Sequence, residues 1–285
     1  MAVPIKLFLV VQVLVAVVLL NGGPVADAFV FDRKSCGAVP SNNYAYDESL
    51  AKRMMAYSAS AYVKHPRILQ DWTCTLCKSV LKGFQPFRVI ETDDLLSYMG
   101  YDSTLRMIVV VFRGTVGPGR FTAFVKNWIL NASFKKVKPT RLGLSVPGEV
   151  HDGFYNGYVG MQTQIISALQ HLQAQHPRAG LYVTGHSLGA ALATIATMDF
   201  YSKGVSTNPI MINFGSPRVG DKCFAKYFSE KITRSIRVVH SKDIVTHVPP
   251  EITGYQHVSR EVQDKTTWDH RVYLGYRGIS ARRRK

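Results

Sequence analysis

Gly185-His-Ser-Leu-Gly189 is the stretch whose residue types and spacing could do chemistry. A serine between two glycines, in a G-x-S-x-G pattern, fits a tight strand-to-helix turn that pushes the hydroxyl outward. A serine hydroxyl is a poor nucleophile at neutral pH. It needs a general base within hydrogen-bond reach, and the base needs an orienting acid. The developing oxyanion needs two donors. One is the backbone N–H of the residue after the nucleophile, here Leu188. The other should come from the end of an earlier strand, where Thr115 follows Phe112-Arg-Gly. The chemistry implied is acyl transfer through Ser187.

The flanks of the pentapeptide supply the elements that must hold it. Leu181 to Thr184 is a short apolar run suited to a buried strand, and Ala190 to Phe200 reads as a buried helix. Upstream, Asp47 is placed to cap a helix running to about Val63. Phe87 to Thr92 and Arg106 to Arg113 read as strands, the second buried on both faces. Phe154 to Gln175 carries an apolar stripe at helical spacing and is stopped by Pro177. Downstream, Pro209–Phe214 and Ser235–His240 read as buried strands, with a helix over Asp221–Glu230 between them. Tyr255 to Val262 alternates as a strand, and Val272 to Tyr276 makes a short last element. Strands alternating with helices imply a mainly parallel sheet covered on both faces.

That order narrows the partners of Ser187. In open α/β sheets, reactive groups lie in loops at the carboxyl ends of strands. Asp243 follows the Ser235–His240 strand in a loop stiffened by Pro249-Pro250, whereas Asp221 starts a helix and is explained by capping. When the acid follows the serine and the base follows the acid, the candidates for the base are His247, His257 and His270. His247 shares the acid's own loop. His257 sits inside the alternating segment, where a side chain is fixed by the pleat. His270 lies in a turn beyond it and can swing over the sheet edge. Position favours His270 and leaves His257 open. His186 points away from the serine and reads as packing or as support from behind the site. His240, Asp243 and His247 match no usual zinc spacing, so neither a metal nor a cofactor is expected.

Composition bounds the rest. Lys6, an apolar run from Leu7 to Leu20 and an Ala26-Asp-Ala28 cleavage site form a signal peptide over residues 1–28. The run is short of the roughly 20 residues a membrane span needs; a signal anchor is the alternative. Residues 29–285 then make a single α/β domain in a secreted protein, with no transmembrane segment once the signal is removed. Four cysteines in that compartment suggest disulfides, with three connectivities open to the sequence; a local Cys74–Cys77 bridge is favoured, which leaves Cys36 with Cys223. The net charge is +16, partly concentrated in the tail at 277–285. No nucleic-acid motif accompanies it, so an anionic lipid or glycan surface is the better partner, beside a basic surface that only aids solubility. Phe121, Phe124, Val125, Trp128 and Ile129 form an apolar stripe on a short helix inside the long connection after Thr115. Asn131-Ala-Ser133 is a glycosylation sequon just past it.

These motifs together resemble the class 3 lipases, the group of the fungal triacylglycerol lipases, which have an α/β-hydrolase fold. Val109-Val-Val-Phe-Arg-Gly-Thr115 resembles the family's oxyanion strand, and Lys126-Asn-Trp-Ile129 its lid signature. Val150-His-Asp-Gly-Phe154, the nucleophile turn, Asn213-Phe-Gly-Ser-Pro-Arg-Val-Gly220 and the segment Val238 to Pro250 match further blocks in order. The resemblance runs from about Phe87 to Gly275. It implies that the base is His270, in Asp269-His-Arg-Val-Tyr-Leu-Gly275, and that Gly254-Tyr-Gln-His257 is a structural block. It also implies a lid helix over the site that rolls back at a lipid surface. The chain departs from the fungal pattern in a longer spacer between Thr115 and Trp128, a shorter interval from Asp243 to His270, and its cysteine positions.

The expectation is a secreted, monomeric serine ester hydrolase acting on acylglycerols at a lipid–water interface, with Ser187, Asp243 and His270 as triad and Thr115 and Leu188 as oxyanion donors. A phospholipase A1 or a feruloyl-type esterase is the near alternative. A catalytically silent lipid-binding relative is the alternative of another class.

Overall fold

In the computed structural model of the chain, residues 36–92, 95–115, 134–142, 146–240, 243–258 and 260–264 are described. Residues 1–28, the five residues Phe121 to Ile129 of the expected lid, Asn131, His270, Val272 to Tyr276 and the basic tail lie outside them. Among the described residues the chain opens with α1 (Glu48–Ser60), α2 (Arg67–Gln70) and α3 (Thr75–Lys78). Strands β1 (Phe84–Glu91), β2 (Leu96–Asp102), β3 (Met107–Phe112), β4 (Lys136–Val137) and β5 (Val150–His151) follow. Then come α4 (Asp152–Gln175), β6 (Gly180–Gly185), α5 (Leu188–Ser202), β7 (Ile210–Phe214), β8 (Gly220–Asp221), α6 (Lys222–Lys231) and β9 (Ser235–His240). Strands β10 (Tyr255–Gln256) and β11 (Glu261–Asp264) complete the set.

The main sheet has seven strands in the order β1-β2-β3-β6-β7-β9-β11. The first three are antiparallel neighbours, and from β3 onward every pairing is parallel. A small antiparallel sheet, β10-β8-β5-β4, flanks it. No helix among the described residues is long and apolar enough to cross a membrane.

Period-two patterning explains why β3 is an unbroken apolar run. Ile108, Val110 and Phe112 pack with Phe154, Tyr158 and Leu192 on the face covered by α4 and α5. Met107, Val109 and Val111 pack with Met54, Tyr57 and Phe214 on the face covered by α1. A strand between two helical layers has no solvent side. Truncating a buried leucine such as Leu192 to alanine would cost about 2–5 kcal/mol. Helix starts follow local chemistry. Asp47 caps α1 by accepting the N–H groups of Ser49 and Leu50 at 2.8 and 3.0 Å. His151 caps α4 through Gly153 N–H at 3.1 Å. Asp221 caps α6 through Phe224 N–H at 2.8 Å and also holds Glu149 N–H at 3.0 Å, a sufficient structural reason for that carboxylate.

Two sequence readings are corrected. β2 was not anticipated, because Ser97, Gly100 and Asp102 interrupt its apolar pattern; Asp102 is nevertheless buried and bonded to Arg53 and Tyr57. The single strand expected over Tyr255–Val262 is two. β10 joins the small sheet and β11 joins β9 in the main one. Between them Arg237 Nε–H donates to the Val258 carbonyl at 2.7 Å, and the chain crosses from one sheet to the other. Disulfides join Cys36 to Cys223 and Cys74 to Cys77, with Cα separations of 5.2 and 4.9 Å.

Candidate active site

β6 delivers the chain into the turn at Gly185, and Ser187 sits there at φ 59° and ψ −127°. Such a conformation costs a non-glycine residue on the order of 1–3 kcal/mol and persists only where the surroundings enforce it. They do so on three sides. Ser187 N–H donates to the Phe214 carbonyl of β7 at 3.0 Å, and Gly189 N–H donates to the His186 carbonyl at 3.0 Å. The two glycines let strand and helix cross. A methyl group on Gly185 would collide with the Gly189 backbone, and one on Gly189 with the Phe112 carbonyl of β3.

The end of β3 lies against this turn. Val111 and Phe112 pair with Thr184 and Gly185, so Gly114 arrives beside the serine. A methyl group on Gly114 would touch Ser187 Cβ at 3.3 Å and collide with the His186 carbonyl. Thr115 follows. The Ser187 and Thr115 hydroxyls are both buried and have no hydrogen-bond partner among the described residues. Leu188 is the first residue of α5, where a helix leaves its N–H without an internal acceptor. Two buried hydroxyls in one small region thus have no partner among the described residues, in a fold where buried polar groups are almost always paired.

β9 lies one strand beyond β7, and its carboxyl end delivers Asp243, which is fully buried. One carboxylate oxygen accepts Val245 N–H at 2.9 Å, and Thr246 Oγ1 donates to the Asp243 carbonyl at 2.8 Å. Arg218 clamps the same loop. It donates to the carbonyls of His247 and Pro249 at 2.6 and 2.9 Å and pairs with Glu251 at 2.9 Å. The Val248-Pro249 bond is cis. The importance of Arg218 escaped the sequence reading. Its only signal was its place in Ser216-Pro-Arg-Val219, and its partners lie across the fold.

The other histidines have structural company. His257 Nε2 is 2.7 Å from the Thr246 carbonyl. Burial, together with the charges of Arg237 and Arg218, holds its imidazole well below the usual histidine range. A neutral ring facing a carbonyl braces the acid loop. His247 Nδ1 lies 2.9 Å from the Asp243 carbonyl, and His186 Nδ1 lies 2.7 Å from Tyr62 Oη. No group of three or more His, Cys, Asp or Glu among the described residues could hold a metal ion.

A strained serine between a parallel strand and a buried helix, with a threonine hydroxyl beside it that has no partner among the described residues, defines an α/β-hydrolase. The family model for class 3 lipases matches residues 109–253, which takes in β3, the elbow and the acid loop, and the chain belongs to that family. It is 30% identical over 213 residues to a lipase of Rhizomucor miehei, covering 72% of this chain and 54% of that protein. It is 34% identical over 168 residues to a secreted mono- and diacylglycerol lipase of Penicillium cyclopium, covering 59% and 51%. The chain therefore spans about half the length of the curated relatives it matches. Among solved structures, a triacylglycerol lipase whose catalytic centre is a serine-protease triad superposes with a TM-score of 0.66 at 27% identity, covering 76% of this chain and 80% of that one.

Proposed function

We propose that the chain is a serine carboxylic ester hydrolase acting on acylglycerols at a lipid–water interface. The observation that carries this reading is the pair of buried hydroxyls at the elbow, those of Ser187 and Thr115, which have no partner among the described residues and stand beside the start of α5 at Leu188. Ser187 Oγ attacks the ester carbonyl. His270 takes its proton and passes it to the departing alcohol, while Asp243 orients that imidazole and stabilises its charged form. Thr115 and the Leu188 N–H hold the tetrahedral oxyanion. Water then attacks the acyl-enzyme by the same route. The relatives named as lipases and the triad of the superposed lipase support this assignment.

The reading extends to the remainder of the chain. Residues 1–28 are a signal peptide, 29–285 one hydrolase domain, and the protein is secreted and monomeric. Phe121, Phe124, Val125, Trp128 and Ile129 form the lid, Asn131 carries glycan, and the net charge of +16 favours anionic lipid surfaces. A hydrolysis panel tests it: emulsified triacylglycerol, anionic phospholipid vesicles and a soluble short-chain ester, with wild type, His257→Ala and His270→Ala. Activity on the emulsion, retained by His257→Ala and lost by His270→Ala, is expected. Cleavage of the soluble ester alone would remove the lipid reading. The reverse histidine pattern would remove the base assignment.

A further inference from the structure

α1 ends at Ser60, and its last turn is pinned to the sheet. Ser60 Oγ lies 2.7 Å from Tyr98 Oη on β2, and that hydroxyl donates to the Tyr57 carbonyl at 2.8 Å. Ser58 Oγ lies 2.9 Å from Thr184 Oγ1 on β6, two residues before His186. The chain leaves this anchored turn through Ala61 and Tyr62. Tyr62 is only 9% exposed.

The phenol ends at the elbow. Its Oη is 2.7 Å from His186 Nδ1 and donates to the His186 carbonyl at 3.5 Å. Its ring meets the imidazole edge-on at 5.7 Å between centroids. The same oxygen occupies the space a side chain at Gly114 would need. One oxygen atom therefore sits between the residue before Ser187 and the residue before Thr115.

That position matters for a physical reason. Both oxyanion donors must lie about 2.7–3.1 Å from one developing charge. Thr115 and Leu188 belong to separate segments, each free to shift by tenths of an ångström against the other unless something fixes the gap. Close-packed interiors transmit such shifts. We infer that Tyr62 is a positioning residue. It wedges the Gly114 segment from the His186 turn and acts through His186 to set the spacing of the two oxyanion donors. The inference rests on the ester-hydrolase reading above. A residue that acts on the two donors and not on the substrate should, when lost, lower turnover and leave substrate affinity alone.

The test is steady-state kinetics on a soluble short-chain p-nitrophenyl ester, with fluorophosphonate labelling rates and thermal melts alongside. The proteins are wild type, Tyr62→Phe, His186→Asn and the double variant. Tyr62→Phe should lower kcat and labelling rate about 10- to 100-fold, the range misplacement produces, with KM within about two-fold. The double variant should be no worse than the poorer single one, as expected when two residues act as one unit. Unchanged kcat in Tyr62→Phe overturns the inference, as does a rise in KM alone, or losses that multiply in the double variant. Should Tyr62→Phe not fold, His186→Asn carries the test by itself: the same fall in kcat supports the inference and full turnover overturns it. Inactive wild type on every ester would instead sink the hydrolase reading, and the inference with it.

Discussion

Asp102 and Ser187 are both buried polar residues, 0% and 1% exposed, and they are treated in opposite ways. Asp102 receives Arg53 Nε–H at 2.8 Å, Tyr57 Oη–H at 2.5 Å and Thr104 N–H at 2.9 Å. Burial alone would push that carboxyl up; the hydrogen bonds from Tyr57 and Arg53 outweigh it and hold the group below its ordinary value. Ser187 has a strained backbone and no hydroxyl partner among the described residues. A satisfied buried group holds a fold together, whereas an unsatisfied one that the fold tolerates is kept for something that arrives later. Removing Asp102 should therefore damage stability, and removing Ser187 should damage chemistry.

Three variants press on that contrast. Ser187→Ala should lower ester turnover on the order of 10⁴-fold or more, with cooperative unfolding intact by calorimetry; residual turnover near wild type would show another nucleophile at work. Thr115→Val should lower kcat about 10²- to 10³-fold, the usual effect of losing one oxyanion donor, measured against an unchanged melting profile. Asp102→Ala inverts the pattern. It leaves Arg53 and Tyr57 without their shared acceptor and should cost about 3–5 kcal/mol by denaturant titration, in the manner of a broken buried pair. The folded fraction should turn over normally, and a large fall in its kcat would break the comparison.

The smallest effect concerns pH. His257 is held neutral when folded, by burial and by the neighbouring Arg237 and Arg218, while the unfolded chain binds a proton near pH 6.5. The unfolded state then carries more protons below that value, so stability should fall as pH drops from about 6.5, by up to about 1.4 kcal/mol per pH unit. His257→Gln should flatten that slope in urea titrations between pH 6.5 and 5 and keep its activity at neutral pH. An unaltered slope would assign the proton to a different residue.

The elbow was legible because its constraints are local. Two glycines, a serine, a strand-length apolar run and a helix-length one occupy a single stretch of sequence. The parallel core was legible for the same reason, since β3 is a wholly apolar run, β7 is apolar but for Asn213, and β9 is built on Ile236, Val238 and Val239, all three strands being buried along their length. β2 was not, because its polar positions are buried against partners elsewhere: Asp102 depends on Arg53 and Tyr57, which lie on α1. The segment from Tyr255 to Val262 misled because alternation marks a pleat and says nothing of which sheet receives it. Tyr62 gave no signal at all. Its partner His186 lies 124 residues away, and a tyrosine at the end of an amphipathic helix looks like any other core residue. Arg218 was hidden in the same way, inside a block whose partners, the His247 and Pro249 carbonyls and Glu251, lie 29 to 33 residues further along the chain.

The disulfide between Cys36 and Cys223 spans 187 positions and closes a covalent ring around α1 through β8. Thr115 and Ser187 lie inside the ring, and β9 with Asp243 lies outside it. Closing so large a loop removes about 5 kcal/mol of chain entropy from the unfolded state, against about 2 kcal/mol for the Cys74–Cys77 bridge, by the loop-length relation. An oxidised chain that has lost its native contacts therefore still carries the nucleophile and its oxyanion strand on one closed loop, with the acid on a free strand end. Under oxidising conditions the nucleophile and its oxyanion strand share one closed loop from the start, and the segment after Cys223, which carries Asp243 and the proposed base His270, has to dock onto it.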